Sequence, residues 1–172
     1  MNEVMKALLE RRSIRKFTRQ PIRQEELEQI VKAALYAPSA MARQTWKFTV
    51  VTDPEKIQRL AKAIREEIGR EGYNMYEPQV LIIPSNDRDN HLGSDDNACA
   101  LENIFLAAYS FGIGSVWINQ LHGICDVPAI REILTEWEVP ENHVVYGMAA
   151  LGYPDGDLTR EVEKIGKVHY VK

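Results

Sequence analysis

From Asn103 to Cys125 the chain carries no Asp, Glu, Lys or Arg. A stretch of that length without charge has to leave water, either by spanning a bilayer or by forming the middle of a layered core. Gly112, Gly114, Asn119, Gln120 and His122 interrupt it, so it reads as a buried helix, a turn and a strand rather than a membrane span. The helical part, about Ala98 to Phe111, sets Leu101, Ile104, Phe105, Leu106, Ala107, Ala108 and Phe111 around most of its circumference. A helix apolar nearly all round belongs at the centre of the molecule, with other elements packed on it from several sides.

The rest of the chain supplies those elements. A first helix is expected from about Val4 to Arg11. A second carries Leu27, Ile30, Val31, Ala34 and Leu35 at i, i+3, i+4, i+7 and i+8 and ends before Pro38. Lys47–Thr52 reads as a strand, and Asp53-Pro54 as an N-cap followed by proline at the first helical position. Val80–Ile83 is expected to be a strand closed by Pro84, followed by a polar loop, Ser85 to Ser94, and by Asp95 or Asp96 as cap of the central helix. Ser115–Asn119 is expected as a strand, Asp126–Leu134 as a capped helix with Pro128 near its start, and Val144–Leu151 as a final strand. With 172 residues and no repeat, this predicts one domain over 1–172 with an unstapled core. Alternation of strand and helix alone points to a parallel sheet, although two opening helices and a long polar tail are unusual for a doubly wound fold.

The net charge of −4 argues against a general nucleic-acid or anionic-membrane binder. Cys99 and Cys125 show no ligand spacing, and the start of the chain has no apolar signal region, so a reduced, cytoplasmic protein is expected. Against this acidic background Arg11-Arg12-Ser13-Ile14-Arg15-Lys16-Phe17, extended by Arg19 and Arg23, puts six cations between Glu10 and Glu25 with no acid among them. Guanidiniums stay charged and grip phosphate bidentately, and Ser13 adds a hydroxyl, so the tract reads as an anion site. A solvated basic face after a helix is the alternative. Phe17 is the only aromatic residue in the tract for base stacking, which makes a nucleic-acid patch the weaker reading.

Other local patterns carry less. Gly112-x-Gly114 leads from helix to strand, the reverse of a dinucleotide turn, and is better explained as a helix C-cap. Asp87 to Ala98 fails as a calcium loop because its glycine is one place late and no Glu stands at the twelfth position. His91, His122, His143 and His169 fit neither a zinc spacing nor a Ser/His/Asp order. No catalytic side chain and no metal site is expected, as when a cofactor supplies the chemistry.

Four segments together resemble the nitroreductase family of FMN-dependent oxidoreductases: Arg11–Phe17; Ala37-Pro38-Ser39-Ala40-Met41-Ala42-Arg43-Gln44-Thr45-Trp46-Lys47-Phe48; Ala98–Ile118; and Ala149–Pro154. The resemblance covers essentially the whole chain. It implies an α+β sandwich, a mixed central sheet flanked by helices, and a homodimer with FMN at the subunit interface. It implies flavin contacts from Arg11 (phosphate), Arg12, Ser13 and Arg15 (pyrimidine edge), with Pro38 and Ser39 coming from the partner and Gln44 in the same retained stretch. Backbone near Asn119 and Gln120 would approach the flavin ring, and Arg160 would be a C-terminal phosphate contact. A cation at the pyrimidine edge is physically apt, since reduced flavin concentrates negative charge there. The chain departs from the family pattern where Ala42 replaces Asn and Thr45 replaces Pro, while Trp46 is retained and is read as core packing.

The implied activity is ping-pong transfer of electrons from NADH or NADPH, through FMN, to an electron-poor small molecule such as a nitroaromatic or quinone. The alternatives are a flavin-storing or flavin-sensing protein of the same fold without NAD(P)H turnover, and a small polyanion-binding module.

Overall fold

The computed structural model describes residues 1–156 and 162–172. Its elements are α1 (Glu3–Glu10), α2 (Gln24–Leu35), β1 (Trp46–Val51), α3 (Pro54–Ile68), β2 (Val80–Asp87), α4 (Gly93–Ser110), β3 (Gly114–Ile118), α5 (Pro128–Glu136), β4 (His143–Val144) and β5 (Met148–Gly152). A short 3-10 turn covers Ala40–Ala42. The uncharged run becomes the second half of α4, its turn, β3 and the loop after it. Among the described residues no helix is long and apolar enough to cross a membrane.

The strands lie in the order β1-β2-β5-β3, with β4 beside the end of β2, and every pairing between named strands is antiparallel. The parallel sheet suggested by alternation is therefore not what forms. Its physical origin is still visible: β2 and β3 are both antiparallel to β5, so they run the same way, and α4 is the crossover between them. β5, arriving last in the chain, inserts between the two and splits the unit. The mixed character comes from an isolated parallel bridge between Ser13 and Ser115 at the β3 edge.

Strict alternation divides the buried side chains between two cores. Leu81 and Ile83 of β2, Val116 and Ile118 of β3, and Met148 and Ala150 of β5 face α3 and α5. Val80, Ile82, Ala149 and Leu151 face α4, behind which α2 contributes Leu27, Ile30 and Ala34. The fold is thus a sheet between helical layers, and α4 lies between the sheet and α2, as its apolar circumference requires.

Four boundaries differ from the sequence expectation. β2 continues through Pro84 to Asp87, because Pro84 falls between the part of the strand paired with β5 and the part paired with β4, where that ladder is interrupted. The single final strand is two: between Ile82 and Asn86 the partner runs from Ala149 to Val144, one residue more, and the extra residue makes a bulge. Helix α4 begins at Gly93 with no side-chain cap, and neither Asp95 nor Asp96 is its N-cap. Asp126 likewise does not cap α5; its carboxylate is held by Arg88 and Arg131, which lower its pKa. The other punctuation matches: Asp53 accepts from Glu55 N (2.9 Å) ahead of Pro54, and Gly112 takes the left-handed conformation (φ 70°) that ends α4.

Candidate flavin site

The arginine tract owes its shape to two apolar anchors. After α1 the chain is extended and runs along the β3 edge, with Ile14 N donating to Ser115 O (2.9 Å) and Thr18 N to Tyr153 O (2.8 Å). Ile14 and Phe17 pack over Gly114 and Gly152, where a Cβ atom would come within 2.8 and 2.9 Å of their side chains. Only glycine allows the tract to lie so close to the sheet. With Ile14 buried and Phe17 half-buried, Ser13, Arg15 and Lys16 are left on the exposed side.

Arg15 borders a cleft of about 720 Å3 between the tract and the segment after α3, together with Lys16, Arg19, Gln58, Asn74 and Tyr76. The Arg15 guanidinium stands 6.0 Å from the centre of the Tyr76 ring. Lys16 pairs with Asp155 (3.0 Å), whereas neither Arg15 nor Arg19 has an ion pair among the described residues. The far wall is strained: Met75, Tyr76 and Glu77 take φ of 54°, 66° and 50° in succession. Asn74 holds it there, its Oδ1 accepting from Tyr76 N (3.0 Å) and its carbonyl from Glu77 N (3.1 Å) and Gln58 Nε2 (3.1 Å), while Met75 is sunk in the core. Among the described residues the Asn74 side-chain NH2 has no acceptor and stays a donor.

Arg11 and Arg12 border a different, smaller cavity of about 160 Å3 with Gly114, Ser115 and Pro154. Arg11 lies over Phe105 (5.8 Å) and 3.6 Å from Glu102, but its Nε is buried with no hydrogen-bond partner. Arg12 is committed locally, donating to Leu9 O (2.7 Å) and Arg11 O (2.8 Å) at the end of α1.

Beyond β3, Asn119 is exposed and accepts from Trp117 Nε1 (3.3 Å), and Gln120 Oε1 accepts from the Tyr73 hydroxyl (3.2 Å). Burial raises the Tyr73 pKa, which keeps this hydroxyl a neutral donor tying the loop after β3 to the cleft wall. The indole of Trp117 leans over Gly147, where an added Cβ would lie 2.5 Å from Nε1. Gly147→Ala should therefore cost about 1–3 kcal/mol of stability by overpacking. In urea unfolding that loss should shrink in a Trp117→Leu background, since the clash is with the indole.

Pro38, Ser39 and Gln44 sit elsewhere, on the loop between α2 and β1, and border neither cavity within one chain. Pro38 and Gln44 are exposed, and Gln44 N donates to Ser39 Oγ (3.2 Å). Arg160 lies outside the described residues. The structure thus sets Ser13 beside Ser115 near the start of β3 and Arg15 at the cleft, puts Asn119 and Gln120 beyond the other end of β3, and keeps the Pro38 loop apart. It also brings in Asn74, Tyr76 and Gln58, which sequence reasoning left unassigned; the turn residues Gly72 and Asn74 ahead of β2 were the available signal.

The donors at the cleft suit an anionic, carbonyl-rich ligand: the Arg15 cation, which has no ion pair among the described residues, and the amide NH2 of Asn74.

The nitroreductase family model matches residues 8–153. A nitroreductase from Bacteroides fragilis, solved with bound FMN, superposes with a TM-score of 0.93 at 38% identity over 100% of both chains. An Archaeoglobus fulgidus protein with the provisional name NADH dehydrogenase/NAD(P)H nitroreductase is 36% identical over 159 residues, 90% of this chain and 87% of that one. The NADPH-flavin oxidoreductase of Vibrio harveyi is 32% identical over 90% of this chain and 67% of its own length. A tract that presents cations outward from a sheet edge, a donor-lined cleft and a match along nearly the whole chain lead to one conclusion: this protein belongs to the nitroreductase family.

Proposed function

We propose that the chain is an FMN-dependent oxidoreductase that uses NADH or NADPH to reduce electron-poor small molecules such as quinones and nitroaromatics. The observation that carries this reading is the arginine tract, whose Ile14 and Phe17 anchors leave Ser13 exposed and hold Arg15, Lys16 and Arg19 along the edge of a cleft of about 720 Å3. FMN, when bound, supplies the chemistry of hydride acceptance from a nicotinamide and electron delivery to a second substrate.

The chain's own part is to bind and to set the local field. Arg11 and Ser13 offer charged and hydroxyl donors to the phosphate, and Arg15 with the Asn74 NH2 faces the pyrimidine edge. A fixed guanidinium there favours the negative charge of the reduced ring without reorganising as the charge develops. The loop at Asn119 and Gln120 forms the wall beside the reacting ring. No side chain has to act as acid or base.

A homodimer completes the site in this reading. Helix α1 buries none of its residues, and Val4, Met5, Leu8 and Leu9 are 43–67% exposed along it. Exposed apolar surface of this kind marks an interaction face, and a second copy would cover it while bringing Pro38, Ser39 and Gln44 over the flavin.

Ping-pong turnover is testable by initial rates. With NAD(P)H varied at several fixed quinone concentrations, double-reciprocal lines should be parallel. Intersecting lines would mean both substrates occupy the site together and would refute the shared pocket.

A further inference from the structure

We propose that Asp96 is a positioning residue for the flavin site: its buried carboxylate latches the loop Pro38–Thr45 into the strained shape in which it serves that site. This rests on the reading above that Pro38, Ser39 and Gln44 face flavin.

The loop does not hold itself. Met41, Ala42 and Gln44 have φ of 52°, 54° and 50°, a left-handed conformation that side chains resist. Its internal support amounts to Ala42 N to Ser39 O (3.0 Å), Arg43 N to Ala40 O (3.2 Å) and Gln44 N to Ser39 Oγ (3.2 Å). The external clamp is a buried polar cluster at the start of α4. Asp96, 4% exposed, accepts from Ala40 N through Oδ1 (2.7 Å) and from Asn90 Nδ2 through Oδ2 (3.1 Å). The other end of the loop is caught by the same cluster: the Thr45 hydroxyl donates to Asn86 Oδ1 (2.7 Å) and accepts from Asn90 Nδ2 (2.9 Å). Asn86 Nδ2 donates in turn to Asn97 Oδ1 (3.1 Å), and Asn97 Nδ2 to Pro84 O (3.2 Å), which ties the cluster to β2.

Two features identify the arrangement as a built clamp. A carboxylate in the first turn of α4 is favoured by the helix dipole, yet Asp96 gives Oδ1 to a loop 56 residues away and Oδ2 to Asn90 rather than capping the helix. Thr45 stands where the family pattern has proline, and its hydroxyl provides the link that proline lacks. A charge-assisted bond to a backbone N–H is among the stronger single contacts available to hold a strained segment.

The test is amide hydrogen exchange of residues 38–45 in FMN-free protein, followed by FMN titration and visible circular dichroism of the bound flavin. Asp96→Ala should speed exchange in this loop at least tenfold, raise the Kd for FMN at least tenfold and change the flavin dichroism. Asp96→Asn keeps an acceptor for Ala40 N–H and should recover part of each effect. Thr45→Val, a nearly isosteric change, carries the same test if the alanine variant does not fold.

Exchange unchanged in folded variants overturns the latch. Faster exchange with unchanged FMN affinity and dichroism overturns its role at the flavin. Failure of the unsubstituted protein to bind FMN would instead refute the function proposed above, and the exchange data would still decide whether Asp96 holds the loop.

Discussion

Alanine at both Arg11 and Arg15 is expected to weaken FMN binding by about two to four orders of magnitude while the protein remains folded. Hydrogen bonds to charged groups contribute roughly 1.5–3 kcal/mol each, and about 1.4 kcal/mol is a factor of ten. Folding should barely notice the loss. Arg15 is exposed, and its contact with the Tyr76 ring, at 6.0 Å, is at the outer limit of a cation–π interaction. Arg11 forms a partly exposed pair with Glu102 at 3.6 Å, of the kind worth about 0–1 kcal/mol, and leaves its Nε unsatisfied. Flavin fluorescence titration measures the affinity, and far-ultraviolet circular dichroism checks the fold. Unchanged affinity in a folded variant would contradict the phosphate and pyrimidine assignments together.

The second large effect concerns stability. Leu101→Ala, at a fully buried position of α4, should cost about 2–5 kcal/mol, since it opens a cavity between the sheet and α2 where neither layer can easily collapse. For a domain of this size each kcal/mol moves Tm by roughly 2–4 °C, so a drop of about 5–15 °C is expected. Thermal unfolding at saturating FMN keeps ligand linkage comparable between the two proteins. A shift under about 2 °C would mean that α4 is not the packed centre described here.

What could be read from the chain follows a physical division between local and non-local causes. The helix start at Asp53-Pro54 and the turn at Gly112 were legible because capping and left-handed backbone are decided by a few adjacent residues. The uncharged run was legible as a core because burial of α4 is a property of its own circumference. Strand direction was not: β5 enters between β2 and β3 from the far end of the chain, and nothing in the apolar pattern of Met148–Gly152 says which neighbours it takes. Asp96 misled for a related reason, since a carboxylate just ahead of an apolar helix looks like a cap until Ala40 is brought against it.

The site divides the same way. Six cations without an intervening acid stood out against an acidic composition, so the tract was visible from the residues alone, whereas the flavin contacts assigned to it came from the family resemblance. Asn74 and Tyr76 were not visible, because their place opposite Arg15 depends on the strained turn at Met75–Glu77 and on Gln58 reaching across from α3. The roles of Ile14 and Phe17 became plain only with Gly114 and Gly152 beneath them.

The most direct test of the central claim is the absorbance spectrum of the FMN-saturated protein, freed of excess flavin, before and after anaerobic addition of NADH and then NADPH. The account predicts protein-bound flavin bands that bleach with at least one nucleotide and return when a quinone is added. Bound flavin that stays oxidised with both would contradict the oxidoreductase reading in favour of storage or sensing. A protein that retains no flavin would contradict the assignment of the arginine tract itself.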